Sequence, residues 1–117
     1  LHKTRSTTPS GNTILQDGDK IGEFRFRGNT GAGYVNGAVV QAIVNGTPGS
    51  GNDLPTDLVF RLQPDGSGNT FEAARFTSTA NLLVGTSTVE DFDGGRNHRI
   101  QVRGDTYCRY IYFRYTE

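Results

Sequence analysis

The chain has 117 residues, 33% of them hydrophobic, with no Met, no Trp and a formal net charge of zero. That length suits one domain, and the balanced charge excludes the sustained positive field that non-specific nucleic-acid or anionic-membrane binding requires. A domain of this size buries only about two-thirds of its unfolded surface, so with so few aliphatic side chains the core is expected to be completed against other copies of the chain.

Residues 1–13 ("LHKTRSTTPSGNT") are polar and rich in breakers, and read as an N-terminal arm or linker. A first residue that is Leu rather than Met suggests a piece of a longer polypeptide. From there the period is two nearly everywhere, which predicts an all-β fold. "IGEFRFR" (21–27) alternates, with Phe24 and Phe26 on one side and Glu23, Arg25 and Arg27 on the other. "GNTGAGYVNG" reads as a Gly/Asn turn region around Tyr34 and Val35. "AVVQAIV" (38–44) is apolar on both parities, as in a strand covered on two faces. "DLVFRL" (57–62) directs Leu58, Phe60 and Leu62 one way, and "PDGSGN" (64–69) is the strongest turn signal, with glycines to supply positive φ. "FEAARF" (71–76) and "NLLVG" (81–85) resume extended structure. "RIQVR" (99–103) and "YCRYIYFRY" (107–115) are short alternating strands divided by Gly104-Asp105. No long window has the 3.6 period of a helix, and no apolar run approaches the ~20 residues that span a bilayer.

The aromatic C-terminal segment carries Tyr107, Phe113 and Tyr115 on one parity and Tyr110 and Tyr112 on the other. Both of its faces are therefore expected to meet something, and a subunit interface is the favoured partner, since Tyr and Arg are enriched there. Cys108 is the only cysteine, so no intrachain disulfide and no thiolate metal knuckle is available.

Chemistry-bearing patterns are weak. Gly46 and Gly51 have the G-x-x-x-x-G spacing of a phosphate-binding loop, but Asn52 and Asp53 follow where Lys and Ser or Thr are needed. Asp65, Ser67 and Asn69, and Glu90, Asp91 and Asp93, supply oxygens without completing a calcium loop, and read as solvated turns. His2, His98 and the scattered carboxylates Asp53, Asp57 and Glu72 converge on no acid, base or nucleophile motif. Tyr34, with Tyr107, Tyr110, Tyr112, Phe113 and Tyr115, is left as a set of interface or glycan contacts.

The ordered series Gly18-Asp19, Ile21 to Phe26, Tyr34-Val35, Ala38 to Val44, Gly46 to Gly49, Asn52-Asp53-Leu54-Pro55, Leu58 to Phe60 and Asp65-Gly66 resembles a module common in bacteriophage tail fibres and related virion appendages. Arg75-Phe76 and Leu82 to Thr86 extend the similarity to about two-thirds of the chain. Thr56-Asp57 departs from the family's Pro-Gly-Arg, and residues 99–117 match nothing in it. The resemblance implies a non-enzymatic virion protein without cofactor, built as a parallel homotrimer whose strands share a core. The expected architecture is an antiparallel β-sandwich or small barrel-like module over 14–98. Residues 99–117 then belong to the same domain or to the subunit interface. Expected partners are other copies, other virion proteins and a host surface polysaccharide, with no nucleic acid and no membrane insertion. Two further readings are a carbohydrate-binding β-sandwich and a capsid decoration protein.

Overall fold

The structure, a computed structural model, describes residues 2–8, 10–88 and 100–102. Six strands form a single sheet in chain order: β1 (Lys20–Asn29), β2 (Tyr34–Val44), β3 (Thr56–Leu62), β4 (Phe71–Phe76), β5 (Leu82–Val84) and β6 (Ile100–Val102). β1 to β5 run as an antiparallel meander, and β6 lies parallel to β5. The described residues contain no helix, so the chain is all-β and mainly antiparallel. The sheet is open, with β1 and β6 as its edges. The described residues of one copy thus form a single layer, without the second sheet of a sandwich or the edge pairing that closes a barrel.

Tight turns follow from local chemistry. Between β1 and β2 the Thr30 N–H donates to Gly33 O at 2.9 Å, and Asn29 Oδ1 accepts from Gly31 N at 2.7 Å. Gly31 sits there at φ 89°, where a β-carbon would be strained. Tyr34 and Val35, expected in the turn, instead open β2, because the turn needs only residues 30–33. The Asp65-Gly66 turn links β3 to β4 with Gly66 at φ 73°. The arm folds on itself, with Thr4 Oγ1 donating to Thr13 O at 2.8 Å and Arg5 N to the same carbonyl at 3.2 Å, and it is joined to the segment before β1 by the Arg5–Asp19 ion pair at 3.5 Å.

Three one-residue bulges break the alternation, leaving Ile21, Gly37 and Ala73 opposite no partner. Residues i and i+3 of a regular strand face opposite sides, and a bulge puts them on the same side. Lys20 therefore reaches Glu23 across Ile21 (Nζ–Oε2 2.6 Å), and Arg75 reaches Glu72 across Ala73 (Nε–Oε1 2.6 Å). Arg25 also pairs with Glu23. The Lys20 hydrogen bond, followed by Arg25, holds the Glu23 carboxyl below its ordinary value. The resulting stabilisation is complete above the unfolded carboxylate range and is lost as pH falls through the depressed folded value.

The best-anchored group is Asp57, whose side chain is fully buried. Its Oδ2 accepts from Arg75 Nη1 at 2.7 Å and Asn45 Nδ2 at 2.8 Å, and its Oδ1 accepts from the Ser78 backbone N–H at 2.9 Å. Hydrogen bonds to Glu72, and then to Asp57, raise the Arg75 guanidinium above its ordinary value. Removing one partner of a buried ion pair costs about 3–5 kcal/mol, against about 0–1 for an exposed pair. Asp57→Ala is therefore expected to lower unfolding free energy in urea by about 3–5 kcal/mol, and Glu23→Ala by less than about 1. Equal losses would remove Asp57 from its anchoring role.

Candidate functional site

The strand register sorts the side chains onto two unlike faces. On one face the cross-strand rows read Phe26–Ala38–Leu62–Phe71, Phe24–Val40–Phe60–Ala74–Val84 and Gly22–Ala42–Leu58–Phe76–Leu82. No polar side chain interrupts them. On the other, the rows read Arg25–Val39–Arg61–Glu72, Glu23–Gln41–Val59–Arg75–Leu83 and Lys20–Ile43–Asp57. The second face holds the buried residues Val39, Gln41, Asp57, Val59 and Leu83, whereas on the apolar side these three rows contain no buried residue and only Val44, opposite Thr56 at the end of β2, is buried.

The strand 38–44, expected to be covered on both sides, is buried on one side through Val39 and Gln41, while on the other Ala38, Val40 and Ala42 are half-buried and only the terminal Val44 is fully buried. Phe24, Phe26, Phe71 and Phe76 are 67, 61, 50 and 46% exposed. Phe60 and Phe76 meet edge-on at 6.2 Å between ring centroids, a favoured aromatic geometry. Beside Phe24 the absent side chain of Gly22 leaves a depression of about 200 Å³, bordered by Val40, Ala42 and Leu58.

A second feature lies at the β1–β2 hairpin end. Arg27, Tyr34, Asn36, Arg61, Asn69 and Thr70 line an open cleft of about 490 Å³. The bulge at Gly37 turns Asn36 to the same side as Arg27, its register partner. Arg27 Nη2 donates to Tyr34 O, and Arg61 donates through Nη2 to Thr70 O at 2.7 Å and through Nε to Thr70 Oγ1 at 3.3 Å. Tyr34 is 63% exposed, and Asn36 Oδ1 is buried with no donor.

Of the aromatic candidates, Tyr34 is in this cleft. Tyr107, Tyr110, Tyr112, Phe113 and Tyr115 lie outside the described residues, as do Glu90, Asp91, Asp93, His98 and Cys108. Sequence reasoning missed the convergence of Arg27 and Arg61 on one cleft, which depends on the strand register, and the alignment of Asn36, which depends on the bulge at Gly37. One signal was present in "FEAARF": Phe71 and Phe76, five apart, share a face only if a residue between them bulges.

The loop over 44–55 spends its amides internally. Gly46 N–H donates to Asp17 Oδ1 at 2.8 Å and Gly49 N–H to Asp53 O at 3.1 Å. A carboxylate thus occupies the position a phosphate would need. In the turn after β3, Ser67 Oγ donates to Asn69 O at 3.1 Å rather than facing a cation. Among the described residues no group of three or more His, Cys, Asp or Glu is placed to hold a metal ion, and no helix is long and apolar enough to cross a membrane. The chain matches no protein-family model and no curated protein.

Gly46 carries a further constraint: at φ 125° its missing β-carbon would lie 3.2 Å from Pro55 Cγ. Gly46→Ala is expected to destabilise the fold by about 1–3 kcal/mol through backbone strain. Gly28→Ala, with open space around it and an ordinary backbone, should leave the urea midpoint within error or raise it. Similar midpoints for the two variants would show that the loop tolerates a different backbone.

Proposed function

We propose that the chain is a non-enzymatic structural module of a phage virion appendage such as a tail fibre, assembled as a homotrimer and serving assembly and host attachment. The uninterrupted apolar sheet face carries this reading. At about 150–250 Å² per aromatic side chain, the four exposed phenylalanines alone leave roughly 350–550 Å² in water. That already reaches the largest patch usual on a monomer, about 300–600 Å², before Leu58 and Leu62 are added. Covering it is worth about 10 kcal/mol at 25 cal/mol per Å², enough to offset much of the cost of association. The depression beside Gly22 has the lining to receive an apolar side chain of a neighbouring copy.

The resemblance of residues 11–88 to tail-fibre modules supplies the virion context, and trimer symmetry comes from it. The charged face, whose ion pairs and buried carboxylate are satisfied within the chain, is the natural outer surface of such an assembly. Its arginines, glutamates and aspartates supply no convergent acid, base and nucleophile.

Mass photometry and sedimentation equilibrium of the chain at micromolar concentration should give three chain masses. The double variant Phe24→Asp/Phe76→Asp should sediment as one chain mass while keeping its β-sheet circular dichroism. A wild-type chain that stays a folded monomer at that concentration would overturn the assembly reading.

A further inference from the structure

We infer that the cleft between β1, the start of β2 and the end of β3 binds an acidic saccharide, with Arg27 and Arg61 taking the carboxylate and Tyr34 the sugar ring. Four observations lead there. The cleft volume of about 490 Å³ lies within the about 300–1,000 Å³ of small-ligand sites. Two guanidinium groups line it, and among the described residues neither pairs with a carboxylate, whereas Arg5, Arg25 and Arg75 all do. Both are oriented by backbone carbonyls, Arg27 by Tyr34 O and Arg61 by Thr70 O. A guanidinium held in this way keeps further N–H groups for a planar carboxylate, which it recognises bidentately.

The remaining lining distinguishes a sugar acid from a bare anion. Asn36 Oδ1 is buried and closed to a ligand, so the selection of a sugar falls to the aromatic ring. Tyr34 presents an exposed ring at the cleft edge, an apolar surface for the C–H face of a pyranose that a free inorganic ion would not use. A nucleic-acid backbone is disfavoured by the chain's zero net charge. The site is built within one chain, so it does not depend on the trimer. It rests on the host-attachment part of the proposed function only for where such a sugar is met: an acidic polysaccharide of a bacterial surface.

The test is titration of the full chain with a galacturonic acid trisaccharide by calorimetry and by saturation-transfer NMR, with the neutral galactose trisaccharide and inorganic phosphate as controls. The expected result is saturable binding of the uronate, at least tenfold weaker binding of both controls, and affinity that falls with added salt. Arg27→Ala and Tyr34→Ala should each weaken uronate binding at least tenfold with the melting temperature unchanged. Arg27→Lys, which keeps the charge and loses the fork, should recover only part of it. Equal affinity for the neutral sugar or for phosphate would overturn the assignment, as would no uronate binding by a chain that is folded. Mass photometry on the same samples separates the two readings. Trimers that ignore uronate refute the cleft alone, and monomers that bind it refute the assembly alone.

Discussion

The buried carboxylate of Asp57 holds the architecture in register. It receives hydrogen bonds from Asn45 after β2, Arg75 in β4 and the Ser78 amide beyond β4. A charge removed from water is tolerated only when its lone pairs are met by donors of good geometry. The three segments must therefore come together in one arrangement. Arg75 can serve both Asp57 and Glu72 because the bulge at Ala73 brings position 72 to the same side. Once Arg75 is committed to the charged face, Ala74 and Phe76 are committed to the other. The polar cluster thus specifies where the apolar rows point without touching them.

The resulting sheet divides its tasks between faces. The charged side is largely satisfied within the chain, through the Glu23 and Asp57 clusters and the buried Val59 and Leu83. The apolar side has been given no layer among the described residues of one copy, which is why its large side chains remain half in water. Small domains with few aliphatics cannot supply two cores. Here the core that one chain builds is small and tightly anchored, and the larger apolar area is left to association. The arginine cleft at the hairpin end belongs to the charged face, so covering the apolar rows leaves it open.

Much of this division was legible in the sequence. Phe24 and Phe26 opposite Glu23 and Arg25, and Leu58, Phe60 and Leu62 on one parity, correctly separate the faces of β1 and β3. "FEAARF" matches β4 residue for residue. The period-two pattern also gave the all-β class, because each strand was read locally. The layering was not legible, since it depends on what faces the sheet rather than on alternation within it. The role of Asp57 was hidden for the same reason: a carboxylate in a polar–apolar alternation looks solvated until Arg75 and Asn45, 18 and 12 residues away, are brought beside it. The cleft depends on Gly37, where one unpaired residue in β2 realigns Asn36 with Arg27.

Those unpaired residues also govern how such a chain can change over generations. Ile21, Gly37 and Ala73 act as phase shifters: each offsets the inside–outside alternation by one step. Loss of a single codon at Ala73 would only remove the bulge, leaving Glu72 next to Ala74 and both Phe71 and Glu72 on their present sides, whereas loss of one codon in the unbulged β3 would carry every residue on one side of the deletion to the wrong face. Drift in amino-acid identity and drift in length are therefore subject to very different selection here. Insertions and deletions should accumulate in the loops and at these three unpaired positions, while the paired positions of the strands keep their number even after their residues have diverged.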